Sequence, residues 1–194
     1  MAALRVATPA GWEEVALAHL AVTMSDHAHA EKKAALSGLS LLNANPGRDD
    51  LVMRMAKLAR EEIRHLDQVL GHMRDRGWSL LPDRPDRFAR GLLAIRRTGG
   101  GEAALCDRLL IAALIEARSW ERLNLLGAAL NVARQTQLGE FYRELARSEA
   151  GHYRVFVELA SSECPSESVA ARLEELAQVE AEIILALPHE PRIH

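Results

Sequence analysis

Arg60-Glu61-Glu62-Ile63-Arg64-His65 and Arg147-Ser148-Glu149-Ala150-Gly151-His152 are the two stretches whose reading decides the fold of this chain. Each contains Glu-x-x-His. On an α-helix, residues three apart share a face, so the carboxylate and the imidazole of each stretch converge on one point. Whether that point lies inside or outside depends on the residues around it.

Outward from these stretches, apolar residues recur at alternating intervals of three and four. This period marks helices packed in a left-handed bundle. The helix carrying the first stretch begins at Asp49 or Asp50 and stops near Gly77, with Leu51, Met55, Leu58, Glu62, His65 and Val69 on one stripe. The helix carrying the second reads Leu138, Tyr142, Leu145, Glu149, His152, Phe156 and Leu159 and ends before Pro165. Two more long helices are predicted. One opens at Thr8-Pro9, with Thr as N-cap, and runs to the breaker Asn43-Ala44-Asn45-Pro46-Gly47; its stripe is Leu17, Leu20, Met24, His27, Glu31, Ala34, Gly38 and Leu41. The other starts around Gly101-Glu102 and reads Leu105, Leu109, Ala112, Glu116, Ser119, Leu123, Leu126 and Leu130. A fifth helix, from about Ser166 to Leu187, carries Val169, Leu173, Leu176, Val179 and Ile183 and is expected along the outside.

Each of the four long stripes thus holds Glu, or Glu with His, where an apolar residue belongs. Glu31 and Glu62 are 31 residues apart, and Glu116 and Glu149 are 33 apart, so the first helix pair is echoed by the second. The link from Asn131 to Leu138 suits antiparallel neighbours, whereas Trp78 to Gly100 is long and rich in Pro, Gly and Arg. A long crossover between helices two and three is what a ferritin-like four-helix bundle requires. The expected fold is therefore all-α: one domain over residues 1–194, a ferritin-like bundle with an additional helix after it.

Composition agrees. A chain of 194 residues can bury a substantial core, and 4% aromatics in an Ala- and Leu-rich background favours packed helices. A net charge of −3 excludes a polyanion binder that works through overall charge. Locally, from Arg74 to Arg97, seven Arg face three Asp, a balance of +4. Arg84, Arg87 and Arg90 in that segment are candidate phosphate contacts. Cys106 and Cys164 lack metal-ligand spacing and fit a reducing compartment. Met1 to Pro9 lacks the apolar core of a signal peptide, and no run of about 18 apolar residues is present. The expectation is a cytoplasmic protein without membrane contact.

Four carboxylates and two imidazoles on inward stripes would be costly to bury uncompensated. Two divalent cations balance four carboxylates, so Glu31, Glu62, His65, Glu116, Glu149 and His152 are the candidate ligands of a dinuclear centre. Mixed carboxylate and imidazole ligation favours iron, with manganese as the other possibility. Glu61 competes with Glu62, but the repeat places Ser148 opposite Glu61 and selects Glu62. Glu61 then becomes a candidate partner for a ligating His, and Arg64 a candidate partner for a neighbouring acid, beside the plainer reading of both as exposed helix charges. His27 lies one turn before Glu31, where the repeat has Ala112. It is read as a hydrogen-bonded core histidine or as part of a substrate pocket. His19, His29 and His72 fall off the site; Tyr142 and Trp120 are read as packing.

The runs Asp26-His27-Ala28-His29-Ala30-Glu31-Lys32-Lys33, Glu61-Glu62-Ile63-Arg64-His65, Glu116-Ala117-Arg118-Ser119-Trp120-Glu121-Arg122 and Ser148-Glu149-Ala150-Gly151-His152-Tyr153 resemble the tRNA 2-methylthio-isopentenyladenosine hydroxylase family over nearly the whole chain. The third and fourth runs carry more of the likeness than the ligands, which many ferritin-like proteins share. The resemblance implies hydroxylation of the isopentenyl side chain of the modified adenosine beside the tRNA anticodon. It implies two iron ions ligated by the six residues above, O2 as co-substrate and two electrons from a reductase or ferredoxin, in a monomer or small oligomer. The residues expected to form an apolar pocket are Leu20, Met24, Leu109 and Ala112. Ser148 and Gly151, opposite Glu61 and Arg64, mark where the two motifs diverge. Rival functions on the same bundle are a bacterioferritin-like ferroxidase, which would assemble an iron-storage shell, and a di-iron hydroxylase of quinone biosynthesis, which would need a lipophilic docking surface.

Overall fold

A computed structural model describes residues 4–194; residues 1–3 of the Met1–Pro9 stretch considered for a leader lie outside the described residues. The described residues form α-helices and no strand: α1 (Trp12–Ala18), α2 (Leu20–Ala44), α3 (Asp49–Arg74), α4 (Arg87–Ala94), α5 (Glu102–Val132), α6 (Thr136–Glu163) and α7 (Val169–Ala186). None of these helices is long and apolar enough to cross a membrane. The chain divides into two compact units, one holding α2 and α3 (Val15–Arg84 with Pro191–Ile193), the other α4 to α7 (Pro85–Glu190 with the segment up to Glu14 and His194).

In the first unit, α2 and α3 form a hairpin across the Asn45–Arg48 turn. The whole stripe anticipated on α3, from Leu51 to Val69, is buried, and Leu20, Met24, Gly38 and Leu41 face inward on α2. The first helix differs from expectation. It opens at Trp12, not at Thr8, and is interrupted at His19 (φ −119°, ψ 41°). Thr8 does not cap it because its N–H and hydroxyl donate to the Glu121 carboxylate instead, the hydroxyl at 2.6 Å. At the interruption the Thr23 hydroxyl donates to the Ala16 carbonyl at 2.9 Å, supplying a partner to an oxygen that the broken ladder gives up.

In the second unit, α5 and α6 form the other hairpin. They cross closely at Gly127 and Gly139. A Cβ on Gly127 would stand 3.0 Å from the Gly139 carbonyl oxygen, and one on Gly139 would stand 2.9 Å from that of Gly127. Backbone atoms cannot yield as side chains do, so this crossing requires glycine on both helices. The turn that follows α5 is a Schellman motif: Gln135 N–H donates to the Leu130 carbonyl at 2.8 Å and Arg134 N–H to that of Asn131 at 3.0 Å. Arg134 occupies the left-handed position usually given to glycine (φ 61°).

The crossover also departs from expectation, since it contains α4. Asp86 caps that helix by accepting from Ala89 N–H at 2.8 Å, Phe88 and Leu92 are fully buried, and Gly91 abuts Ile183 of α7. On α7 the buried line is Leu176, Ala177, Glu180, Ala181 and Ile184, rotated from the anticipated one because Glu180 lies inside.

Buried Asp107 ties the end of the crossover to α7. It accepts from the Arg97 backbone at 2.7 Å and from the guanidinium groups of Arg97 (2.7 Å and 3.0 Å) and Arg172 (2.8 Å and 2.9 Å). Burial raises its pKa, but the hydrogen bonds from Arg172 and Arg97 prevail and bring it down to about 2. Because the folded-state value lies below the usual 3.8, the stabilisation is complete above about pH 4 and vanishes as pH falls through 2. Chemical denaturation between pH 5 and pH 2, as approximate bounds, should therefore show about 2 kcal/mol of acid-dependent loss in the parent chain that Asp107→Asn does not show.

Candidate metal centre

Each hairpin carries one buried triad. In the first, α2 supplies Glu31 and α3 supplies Glu62 and His65; each offers a ligand atom within 4.8 Å of the others. In the second, α5 supplies Glu116 and α6 supplies Glu149 and His152, again within 4.8 Å. None of the six is more than 5% exposed. All six are buried in the middle of long helices, on the stripes the sequence marks out.

The two triads present the same chemistry. His65 turns Nδ1 toward Glu62 (3.4 Å) and Glu31 (3.7 Å), and His152 turns Nδ1 toward Glu149 (3.5 Å). Burial disfavours the His65 imidazolium, yet Glu31 and Glu62 outweigh it and raise the pKa to about 9. The pair of carboxylates therefore draws positive charge to that nitrogen. A divalent cation meets the same demand with twice the charge and directional bonds. Two carboxylates and an imidazole are oxygen and borderline nitrogen donors, a set that fits ferrous iron or manganese. In this sense the residues fit a metal at each triad.

The other candidates take different places. His27 is buried, and its Nε2 lies 2.7 Å from Oε1 of Glu31, a hydrogen-bonded histidine in contact with a ligand candidate. Glu61 is half-buried with Lys57 3.8 Å away, and Arg64 is exposed. Arg84, Arg87 and Arg90 are all exposed, the last two one turn apart on α4. Leu20, Met24 and Leu109 are buried, and Ala112 is half-buried. His29, set aside from the sequence, donates Nε2–H to the Leu81 carbonyl at 2.8 Å and so fastens the start of the crossover.

Arg118 was absent from the sequence-based site. It lies two residues beyond Glu116, on the other side of α5, and is fully buried. Its Nε and Nη2 make a forked pair with Glu180 of α7 (2.8 Å and 3.0 Å), Nη1 donates to the Thr8 hydroxyl (3.1 Å) and to Glu121, and Nη2 also donates to the Val6 carbonyl (3.1 Å). Burial pushes the Glu180 pKa up, while the Arg118 guanidinium pulls it down. Arg122 stacks over the Trp12 ring at 4.9 Å, and Ser119 Oγ meets His194 Nε2 at 2.6 Å. The motif Glu116-Ala-Arg-Ser-x-Glu-Arg is thus one ligand candidate followed by four residues that fasten other segments to α5. Sequence signals existed: Arg and Glu on otherwise apolar stripes. Their partners lie 62 and 110 residues away, beyond the reach of local pattern.

The family model described as tRNA-(MS[2]IO[6]A)-hydroxylase (MiaE) matches residues 1–194. The chain is 38% identical over 187 residues to a Pseudomonas putida protein named tRNA 2-(methylsulfanyl)-N(6)-isopentenyladenosine(37) hydroxylase, covering 96% of this chain and 89% of that protein. It is 37% identical over 157 residues to a Salmonella typhimurium protein of the same name, covering 78% of this chain and 56% of that one. Among solved structures, "Protein 43 with aldehyde deformylating oxygenase activity" from Synechococcus matches with a TM-score of 0.90 and 34% identity, over 100% of this chain and 96% of the other. The fold class is accordingly the all-α, ferritin-like one anticipated from the stripes.

Removing Arg118 leaves Glu180 buried without its guanidinium. Arg118→Ala should cost about 3–5 kcal/mol, read as a lowered midpoint in chemical denaturation, whereas Arg118→Met with Glu180→Leu should recover most of it. With the family model matching residues 1–194 and a named relative 38% identical over 96% of the sequence, this chain belongs to the tRNA-(MS[2]IO[6]A)-hydroxylase (MiaE) family.

Proposed function

We propose that residues 1–194 work as a single cytoplasmic domain in which the two triads serve one di-iron centre, and that the protein hydroxylates the isopentenyl side chain of 2-methylthio-isopentenyladenosine in tRNA. The observation that carries this reading is the burial of two repeat-related ligand sets, four carboxylates and two imidazoles, in a chain of a tRNA hydroxylase family. Four carboxylates balance two divalent ions, which is the charge condition for burying them.

Iron held there supplies the activation of O2 needed to oxidise an unactivated C–H bond. The reaction balances as R–H plus O2, two electrons and two protons giving R–OH and water. The electrons come from an external reductase or ferredoxin. The protein's own part is binding and shielding. Glu31, Glu62, His65, Glu116, Glu149 and His152 would hold the two ions. The apolar side chains of Leu20, Met24 and Leu109 keep bulk water from the ligand turns, which protects oxidising equivalents from being spent on solvent. Exposed Arg84, Arg87 and Arg90 meet tRNA phosphates near the anticodon loop, with Arg favoured for its forked geometry.

After anaerobic reconstitution the parent protein should bind close to two irons per chain, as its ligand count implies. Glu116→Ala or His152→Ala should lose most of that iron while keeping the helical far-ultraviolet dichroism; retention of full iron by either variant overturns the ligand assignment. For the substrate, the decisive measurement is mass spectrometry of tRNA nucleosides from cells with and without the gene. The hydroxylated isopentenyl nucleoside should disappear with the gene, and its persistence would remove the tRNA reading.

A separate outcome concerns docking. Replacing Arg84, Arg87 and Arg90 by Ala should weaken tRNA binding and flatten its logarithmic salt dependence by about 1 per arginine. Unchanged affinity in filter binding excludes the crossover from the interface.

A further inference from the structure

The two triads are repeats, but they differ one turn ahead of the lone glutamate. Four residues before Glu31 stands His27; four residues before Glu116 stands Ala112. His27 Nε2 lies 2.7 Å from Glu31 Oε1, and both side chains are buried. An ionised carboxylate only accepts, so Nε2 carries the hydrogen and donates it. The other oxygen of the same carboxylate, Oε2, faces His65 Nδ1 at 3.7 Å. The two oxygens of Glu31 are therefore divided between separate tasks: one is held by its own helix, the other turned into the triad. A methyl side chain at Ala112 has no group with which to do the same for Glu116.

We propose that His27 is a positioning residue that restricts Glu31 to ligation through one oxygen and so makes the metal position on α2 and α3 unlike the one on α5 and α6. The proposal rests on the reading of the triads as metal ligands. A charge-assisted hydrogen bond between buried partners four residues apart on one rigid helix is strong and needs no loop to form it. It fixes the carboxylate's torsion, and it competes for the lone pairs that a chelating mode would use. A carboxylate held in this way would offer a metal one oxygen in place of two. The sequence repeat thus encodes two similar donor sets, and one histidine outside both makes them inequivalent.

The test is an anaerobic titration of the full-length apoprotein with cobalt(II), read by visible ligand-field absorption, in four proteins. The parent should show two binding steps. His27→Leu, which keeps volume and removes the donor, should weaken one step by about 10- to 100-fold and leave the other within about twofold. His27→Gln, whose amide can still donate to Oε1, should stay within about twofold of the parent in both. Ala112→His, which supplies a donor one turn before Glu116 and leaves His27 intact, should tighten the other step; it tests the idea even if His27→Leu does not fold. Equal weakening of both steps in His27→Leu overturns the proposal, as does a His27→Gln protein as weak as His27→Leu, or no change in Ala112→His. If the parent takes up two cobalt ions and the variants do not differ from it, this inference alone fails. If the parent takes up none, the metal reading fails and this inference with it.

Discussion

Burial of acid dominates this molecule. Helix stripes that would otherwise be leucine hold four glutamates and two histidines, each almost wholly removed from water. An ionised carboxylate in such a place costs several kcal/mol unless positive charge answers it. The structure shows the demand in its neighbours: positive charge is drawn to His65, and His27 donates to Glu31. Long helices that bury these residues at mid-length follow from the same demand. Only rigid elements packed on either side hold several like charges within a few ångströms without letting them swing into solvent.

Helix α5 carries this constraint in both signs. Glu116 on one side calls for a cation. Two residues on, about 200° around the helix by its 3.6-residue period, Arg118 calls for an anion and receives Glu180 and Glu121. The first charge is a proposed metal ligand and the second serves assembly. Their proximity ties the placement of Glu116 to segments distant in sequence, because the helix that bears it is clamped by α7 and by the residues around Thr8. Asp107, farther up the same helix, repeats the device with Arg97 and Arg172. The extra helix is thus held to α5 by buried ion pairs as well as by apolar contact.

Much of this was legible in the residues. A charged side chain on an otherwise apolar stripe is a strong anomaly, so Glu31, Glu62, Glu116 and Glu149 could be picked out, and the repeat decided between Glu61 and Glu62. The long helices were bounded by ordinary breakers such as Asn45-Pro46-Gly47. What escaped were features set by partners far along the chain or by local contacts that leave no periodic pattern. Thr8 looks like a helix cap until Glu121 is known to claim it. The break at His19 is supported by Thr23, whose side-chain bond to Ala16 has no sequence period. Helix α4 has only eight residues, so its cap Asp86 and its pair Phe88 and Leu92 were submerged in the surrounding Arg, Pro and Gly. His27 is the buried, hydrogen-bonded histidine that its place on the stripe suggests, but the absence of a counterpart in the repeat left its partner Glu31 unassigned.

The network around Arg118 also has a bearing on how the chain reaches its native state. The α2/α3 and α5/α6 hairpins close through short turns and can form early, since little chain entropy is lost in joining their arms. The Arg118 network cannot. Its partners lie 110 residues earlier and 62 residues later, and neither contact is desolvated until both segments arrive. Until then Arg118 and Glu180 keep their hydration, and the face of α5 that bears Arg118 stays open. From its sequence separation this charge-burying closure is expected after the hairpins, and until it occurs an incompletely folded chain stays exposed to aggregation or proteolysis.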